Sequence, residues 1–462
     1  MRILLVLLLL ALTAGKIAAV LLRGPVPIEL DAFRYWGLSS LVMGDDILML
    51  AEPIAYRTPV YPWFLAIIRS LNGENSLWVI GVVQGILALA TVGIAAHIAG
   101  RITKLPRAVP WTLLVSVPAV SAFTFSAAVL SETLFVFLLM LNLLAVLDYA
   151  KHGTIPRVIW LGVTFSVTLL TRPIVILLWI PHVIFLLYIH IRKRRRLGKN
   201  APGRLKLHHR FVHATIAALT IGVLIAPWLM RNQYLFGRPF LTEFVGRNAW
   251  IVTFQDGSGA GLDLPQTESG RQLRQRLANV DESGDWRHTW TVSKALVASG
   301  LDDAQADLLM TQVCLDAIES NPQLFGRKAF RRVVNFWRCA ATDLPDQRAI
   351  RGEFRGHATC GLTIPQLEWV IEHRWSQSVA LNTLLTAVLG AATLLLIFDF
   401  RTRPYGVWLA LILSYFAIVT GILEIPAYRY RIVVEPLVAT MIGAAIAVLL
   451  SRRRKAVKAV AT

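Results

Sequence analysis

The chain has 462 residues, of which 55% are hydrophobic and 16% charged, and it carries a formal net charge of +19. Several apolar runs are long enough to cross a hydrocarbon core of about 30 Å, which takes roughly 20 helical residues. Lipid offers no hydrogen-bond partner to the backbone, and the runs lack the alternation of barrel strands, so we expect helices. The composition excludes an ordinary soluble protein and predicts an all-α, polytopic membrane helix bundle.

We predict about ten spans, with Pro118 interrupting the third and Thr171-Arg172-Pro173 separating the fifth and sixth as a tight hairpin. They cover residues 3–22, 76–99, 109–126, 128–148, 158–171, 174–191, 211–230, 377–398, 405–423 and 433–450. The first run is either a span or a cleaved signal peptide, since Arg2 and the following leucines resemble a signal sequence. Apolar character that continues from Lys16 to Leu22 favours a span.

Basic residues lie on alternate sides of successive spans, which fixes the expected orientation. The clusters are Arg101 to Arg107, Lys151 with Arg157, Arg192 to Arg210, Arg401 with Arg403, and Arg452 to Lys455. The positive-inside rule puts them, and both termini, on the cytoplasmic side of the membrane. Short loops facing an anionic leaflet then account for the net charge, and we expect no nucleic-acid partner.

The chain divides into three expected parts. Residues 1–230 form a membrane domain that includes a first outer loop at 23–75, residues 231–376 form a mainly helical extracytoplasmic segment, and residues 377–462 supply the last membrane helices and a basic cytoplasmic tail. Within the 231–376 segment we predict a helix from Asp302 to Asn321 and a loop or lid at 253–285. A helix at about 323–340 either lies on the membrane surface or packs on the segment's own core.

Ionisable side chains at membrane depth are costly and usually functional. By the predicted topology seven of them face the same outer side: Asp31, Arg57, Glu132, Arg172, Glu424, Arg429 and Arg431. Structural roles stay open for single members, because Arg57 and Arg172 can anchor at lipid headgroups and Glu132 can stabilise a helix N-terminus. The convergence of the set on one face nevertheless indicates a reaction centre.

A carboxylate beside arginines suits the transfer of a sugar carried on a polyprenyl phosphate. Guanidinium groups would stabilise the charge that develops on the leaving phosphate. The carboxylate would accept the proton of the acceptor hydroxyl. The sequence contains no Walker loop or GxGxxG motif, which agrees with a donor that is not a nucleotide sugar.

Six motifs occur in the order seen in one known family. They are Leu30-Asp31-Ala32-x-x-Tyr35, Arg57-Thr58-Pro59-Val60-Tyr61-Pro62, Ser131-Glu132-Thr133-Leu134-Phe135, Leu170-Thr171-Arg172-Pro173, Ala317-Ile318-Glu319-Ser320-Asn321-Pro322 and Tyr428-Arg429-Tyr430-Arg431. With these motifs the chain resembles polyprenyl-phosphate-sugar-dependent glycosyltransferases of the GT-C class, in particular bacterial relatives of protein O-mannosyltransferases and aminoarabinose transferases. The resemblance covers most of the membrane region.

The resemblance implies roles for individual residues. Asp31 corresponds to the first-loop catalytic base and Glu132 to the acid at the outer end of the fourth span. Arg57 corresponds to the basic residue near the carrier phosphate, where we also expect Arg172, Arg429 and Arg431. Tyr35, Tyr61 and Tyr428 are expected to line the substrate site. The resemblance also implies inversion at the sugar carbon.

One departure from the family concerns metal. The residue after Asp31 is Ala32, where protein mannosyltransferases carry a second acid, so the resemblance does not carry a metal-binding acid pair over to this chain, and a divalent metal is left as an open alternative. No other cofactor is expected.

The predicted function is therefore a membrane glycosyltransferase. Its expected partners are a polyprenyl-phosphate-linked sugar, a lipid, glycan or protein acceptor, and membrane lipids. The sequence does not determine the sugar or the acceptor. A lipid or glycan transporter or flippase is the alternative, although such proteins favour inverted repeats and charges along a pathway. A non-enzymatic scaffold is a third possibility.

Overall fold

The computed structural model describes residues 2–22, 24–28, 31–116, 125–197, 207–255, 262–278, 286–338, 379–424 and 428–460. Helices dominate this part of the chain, and none of its residues forms a strand. In chain order the helices are α1 Arg2–Leu22, α2 Asp31–Met43, α3 Val60–Asn72, α4 Ser76–Thr103, α5 Ala108–Ser116, α6 Glu132–His152, α7 Ile155–Leu169, α8 Trp179–Leu197, α9 Leu207–Phe236, α10 Val245–Trp250, α11 Glu268–Ala278, α12 Thr289–Ala298, α13 Asp303–Ser320, α14 Pro322–Arg338, α15 Val379–Phe398, α16 Arg403–Leu423, α17 Tyr428–Arg431 and α18 Glu435–Val460.

The predicted polytopic helix bundle is confirmed. Six stretches of the described chain are long and apolar enough to cross a membrane: Val60–Thr103, Glu132–His152, Pro173–Arg192, Phe211–Phe236, Arg403–Leu423 and Arg429–Arg453. Each of the ten expected spans coincides with a helix, although the third is described only as far as Ser116. Large apolar side chains on α9, such as Phe211, Val223 and Met230, stay exposed, which is expected of a surface that faces lipid.

Helix α18 is the best-buried span and packs against α4, α5 and α15. Gly443 permits the approach of α18 to α5, because a Cβ at this position would lie 2.2 Å from Thr112 Oγ1 and 2.6 Å from its Cα. Small residues at helix contacts let backbones approach closely in membrane bundles, where dispersion forces rather than hydrophobic burial drive association.

Breaks in the helices position the charged residues. The predicted break at Thr171-Arg172-Pro173 is present, since α7 ends at Leu169 and a short 3₁₀ helix begins at Pro173. A second bend lies before α6, where the fully buried Gln84 donates to the carbonyls of Ser126 and Ala128. This bend brings the N-terminus of α6 to the same end of the bundle as the Arg172 turn.

The 231–376 segment is described as far as Arg338, and it builds its own core from α10 to α13 with Trp250, Leu296 and Met310 at the centre. The predicted helix at 303–320 is confirmed, with a capping box from Asp302 at its start. The prediction of a loop over residues 253–285 was wrong in part. Residues 268–278 form α11, because Leu273 on one helix face packs into this core.

Helix α14 matches the predicted boundaries. It was expected either on the membrane surface or on the core of the 231–376 segment, and its observed position corresponds to neither alternative alone. It packs against α15 and α16 of the membrane bundle, while Phe325 at its start contacts the core of the 231–376 segment. Lys328 and Arg332 are buried and donate to the carbonyls of Thr253, Val252 and Gly421. Phe330 is exposed on the opposite face. The helix joins the two parts of the molecule.

Candidate active site

Asp31 is the first residue of α2, where the helix dipole favours a negative charge. Its Oδ1 accepts a hydrogen bond from Arg57 Nη2 at 2.6 Å, and its Oδ2 accepts one from Arg429 Nη2 at 2.9 Å. Burial alone would raise the pKa of the Asp31 carboxyl, but the charges and hydrogen bonds of the two arginines hold this pKa well below its usual range. The group is therefore ionised at neutral pH.

Glu132 is the first residue of α6 and is fully buried. Its Oε1 accepts from Arg172 Nη1 at 2.9 Å and from Arg429 Nε at 2.5 Å. Its Oε2 is buried and has no hydrogen-bond partner within the described part of the chain. Arg429 thus bridges Asp31 and Glu132, two acids that are far apart in sequence.

We call Asp31, Arg57, Glu132, Arg172 and Arg429 the charged cluster. Three guanidinium groups face two carboxylates, so the cluster has one net positive charge. All five side chains come from helix ends or breaks at one end of the bundle. A partly buried cluster with an excess of arginine is suited to bind a phosphate group.

Backbone contacts hold the two loop arginines side by side. Thr58 Oγ1 donates to the carbonyl of Thr171 at 3.1 Å, and the amide of Val60 donates to the carbonyl of Leu170 at 3.3 Å. Arg57 also packs over the ring of Tyr35, 4.7 Å from the ring centroid, and donates to its hydroxyl. The residues that flank Arg57 and Arg172 in sequence therefore fix the distance between them.

The three tyrosines expected to line the substrate site differ in position. Tyr35 is buried beside the charged cluster, and its hydroxyl lies 3.3 Å from Ser131 Oγ. Tyr61 is fully buried and donates to Gln84 Oε1 at 3.0 Å, and its ring packs against that of Tyr35 with centroids 4.8 Å apart. Its expected place in the lining of the substrate site stays a prediction. The side chain of Tyr428 lies outside the described residues.

Arg431 does not join the charged cluster. It is buried, and its Nη1 donates to the carbonyl of Trp337 on α14 at 2.8 Å. Two residues along a helix turn a side chain by about 200°, so Arg429 and Arg431 point in nearly opposite directions. In this structure Arg431 joins α17 to α14, and its expected contact with the carrier phosphate stays a prediction.

Glu424 lies beside the charged cluster and is buried. Burial raises the pKa of this carboxyl to about 7, although a hydrogen bond with Tyr430 and the charges of Arg172 and Arg429 oppose the shift, while Asp31 adds to it. Its Oε2 has no hydrogen-bond partner among the described residues. The protonation state of Glu424 therefore sets the net charge around the cluster near neutral pH.

Two residues that position the charged cluster, Gln84 and Arg231, were not predicted from the sequence. Gln84 fixes the bend before Glu132, and its only signal was a lone amide in an apolar helix. Arg231 fixes the loop before Arg57, and its signal was a charge at the end of a span. Neither signal identifies the partner of the side chain.

A metal site is not evident. No group of three or more His, Cys, Asp or Glu side chains in the described ranges is arranged to hold a metal ion. Both oxygens of Asp31 are bonded to arginine, and arginine is not a metal ligand.

Comparisons with known proteins bear on the family. Residues 56–230 match the family model described as dolichyl-phosphate-mannose-protein mannosyltransferase. Among solved structures, ArnT from Cupriavidus metallidurans bound to undecaprenyl phosphate is 13% identical, with a TM-score of 0.36 over 96% of this chain and 77% of that chain. Its apo form gives the same identity and TM-score over 94% and 77%. No curated protein matches the chain.

The family match confirms the resemblance to GT-C glycosyltransferases that the motifs indicated. It includes the motifs around Arg57, Glu132 and Arg172. The chain is thus similar to membrane glycosyltransferases of this class.

Proposed function

We propose that this chain is a membrane glycosyltransferase that moves a sugar from a polyprenyl phosphate to an acceptor hydroxyl at the outer face of a bacterial plasma membrane. The observation that carries the proposal is Arg429 bridging two carboxylates, the partly exposed Asp31 and the fully buried Glu132, within a cluster of net positive charge. The family match supports the reaction class.

In the proposed reaction Asp31 is the general base. The acceptor oxygen attacks the anomeric carbon, its proton passes to Asp31, and the bond from that carbon to the phosphate oxygen breaks with its electron pair going to the phosphate. Glu132 is held by Arg172 and Arg429 and is not assigned a nucleophilic role, so the scheme is one displacement with inversion. Arg57, Arg172 and Arg429 stabilise the leaving phosphate.

Donor binding would adjust the basicity of Asp31. A carboxylate held by two arginines is ionised but accepts a proton poorly. When a phosphate competes for Arg57 and Arg429, the hydrogen bonds to Asp31 weaken and its pKa returns towards the usual range. The base is thus strengthened when the donor is bound.

The other residues and parts have proposed roles in the same scheme. Glu132 orients Arg172 and Arg429, Tyr35 lines the site beside Arg57, and the 231–376 segment selects the acceptor. The basic loops and both termini lie in the cytoplasm by the positive-inside rule. These assignments predict that donor and acceptor meet at the end of the bundle where the charged cluster lies.

The test is transfer by purified protein in detergent from a labelled polyprenyl-phosphate sugar. We expect release of free polyprenyl phosphate together with a modified acceptor, and a loss of at least about 100-fold in rate for Asp31→Asn, as for removal of a general base. Asp148→Asn is the matched control, because Asp148 also pairs with arginine, at the opposite end of α6. Movement of intact lipid without cleavage would instead favour a transporter, and full activity of Asp31→Asn would eliminate the base assignment.

A further inference from the structure

The loop at residues 44–59, which ends beside the charged cluster, is irregular but tightly constrained. Asp45 and Met49 have positive φ angles of 67° and 54°, a backbone region that is costly for residues with a Cβ. Asp46 closes the turn by accepting hydrogen bonds from the amides of Leu50 and Ala51 at 2.8 and 2.9 Å. Such a conformation persists only where the surroundings hold it.

The end of the membrane helix α9 holds this loop through Arg231, which lies at the boundary of the 231–376 segment. Its guanidinium is buried and donates to four carbonyls in the loop, those of residues 48, 49, 52 and 54, at 2.8 to 3.2 Å. Its fifth bond goes to Asn232 Oδ1. A guanidinium has five N–H donors, so every donor of Arg231 is used within the protein.

The 231–376 segment holds the same loop from the other side, at Ala55. Asp303 Oδ2 accepts from the amide of Ala55 at 2.7 Å, and the carbonyl of Ala55 accepts from the amide of Glu243 at 2.9 Å and from Thr242 Oγ1 at 3.2 Å. Asp303 Oδ1 binds Arg247 Nη2 at 2.5 Å. The backbone N–H and C=O of Ala55 are therefore both hydrogen-bonded to the 231–376 segment.

Neighbouring residues within the 231–376 segment would preserve the local structure if Asp303 were replaced. Arg247 is buried, also pairs with Asp307 at 3.2 Å, and lies 5.0 Å from the ring centroid of Tyr56. Asp302, rather than Asp303, caps helix α13. Replacing Asp303 therefore leaves the helix cap in place and leaves Arg247 with an acidic partner.

We propose that Asp303 is a positioning residue for the reaction: by binding the amide of Ala55 it couples the 231–376 segment to Arg57, two residues further along the chain, and so fixes Arg57 against Asp31. The inference rests on the proposed function. A displacement of about 1 Å in a catalytic group can lower a rate 100-fold, so small movements of this loop matter.

The first measurement is hydrogen exchange of the loop, which needs no activity. In Asp303→Ala we expect peptides covering residues 48–58 to exchange at least about tenfold faster, because the amide of Ala55 loses its acceptor. Asp303→Asn keeps an acceptor oxygen and is expected to restore most of the protection. Asp316→Ala is the matched control, since Asp316 lies on the same helix and, among the described residues, accepts hydrogen bonds from Thr267, Ser269 and Gln312 of the same segment.

The second measurement is transfer per folded molecule. We expect Asp303→Ala to lower kcat/KM about tenfold, Asp303→Asn to recover most of it, and Asp316→Ala to match the wild type. Unchanged exchange and kcat/KM in Asp303→Ala would overturn the inference, as would a loss explained entirely by less folded protein. An equal defect in Asp303→Asn would also overturn it, since the pair with Arg247 and not the bond to Ala55 would then be responsible.

Failure of the proposed function gives a different result. A wild-type protein with no transfer from any polyprenyl-phosphate sugar would count against the glycosyltransferase, whatever the exchange data. Wild-type transfer with an unaffected Asp303→Ala would count against the positioning role alone.

Discussion

Arg429 connects the two acids of the charged cluster through different atoms, Nε to Glu132 and Nη2 to Asp31. The planar guanidinium offers Nε and Nη donors at different positions on one rigid group, whereas the three donors of a lysine share a single nitrogen. Arg57 and Arg172 each bind one of the two acids. The geometry of the centre therefore depends on Arg429 more than on any other cation.

We expect Arg429→Ala to weaken binding of polyprenyl phosphate by at least about tenfold, because one charge-assisted contact is worth roughly 1.5–3 kcal/mol. Membrane insertion should be unchanged. Arg452→Ala is the control, since Arg452 pairs with Asp399 elsewhere on the protein. Equal affinities for the lipid in wild type and Arg429→Ala would contradict the phosphate-binding role. Arg431→Ala is expected to loosen the contact of α17 with α14, and its effect on lipid affinity tests the predicted contact of Arg431 with the carrier phosphate.

Glu424 predicts a dependence on pH. Below a pKa of about 7 it is neutral and the cluster keeps its net positive charge, whereas above it Glu424 is ionised and cancels that charge. Affinity for a non-reactive polyprenyl phosphodiester, whose own charge does not change in this range, should fall by about tenfold between pH 6 and pH 8. In Glu424→Gln the affinity should be the same at both values. A wild type without pH dependence would refute the assignment.

The Glu424 carboxyl also makes the free energy of unfolding depend on pH. The folded pKa of about 7 lies above the ordinary glutamate value of 4.5, so the folded protein binds this proton more tightly than the unfolded chain. The contribution of Glu424 to the free energy of unfolding is thus fully present below pH 4.5 and is lost as the pH rises towards 7. Glu424→Gln should remove this part of the pH dependence, which thermal unfolding would detect.

At the scale of secondary-structure elements, the residues of the charged cluster lie at helix ends and in turns between helices. The packing of the membrane spans sets the distances between these ends. Asp31 and Glu132 are first residues of α2 and α6, while Arg172 lies in the turn after α7. The positions of these helix ends relative to one another depend on how closely the membrane spans pack. The contact of α5 with α18 is one such point, because Gly443 faces Thr112 without room for a Cβ.

Gly443→Ala should therefore destabilise the bundle by about 1–3 kcal/mol, the usual cost of overpacking. Thermal unfolding in detergent would measure it. Gly390→Ala on α15 is the matched control, because a Cβ there meets nothing within 4 Å. If both variants unfold at the wild-type temperature, the two helices do not pack as closely as described.

At the scale of the whole molecule, the charged cluster lies at one end of the bundle and the pair of Arg101 with Asp148 lies at the other end of α4 and α6. The proposed orientation puts the first end outside the cytoplasm and the second inside. This arrangement brings the 231–376 segment to the side where the acceptor would be found.

Labelling of single cysteines in intact cells tests this orientation. Glu74→Cys lies in the exposed turn between α3 and α4, and Lys151→Cys lies at the exposed end of α6. An impermeant maleimide should label the first and not the second until the membrane is permeabilised. The reverse pattern would place Asp31 in the cytoplasm and remove the basis for an extracytoplasmic reaction.

Much of the fold could be predicted because each span is a local property of the chain. Apolar length and the proline at Thr171-Arg172-Pro173 predicted helices and a break that are present. Helix α11 was missed because its single apolar face is short and lies among polar residues. The position of α14 was missed because its partners, α15 and α16, are remote in sequence.

The sequence by itself determined that this is a membrane helix bundle and which ionisable side chains gather at one end, because hydrophobic length and charge are properties of single segments. Only the tertiary structure decided that Arg429 and not Arg431 reaches Asp31, that Tyr61 is buried, and that Asp303 binds the amide of Ala55. These contacts join residues as many as 398 positions apart. They depend on helix rotation and packing, which no local pattern specifies.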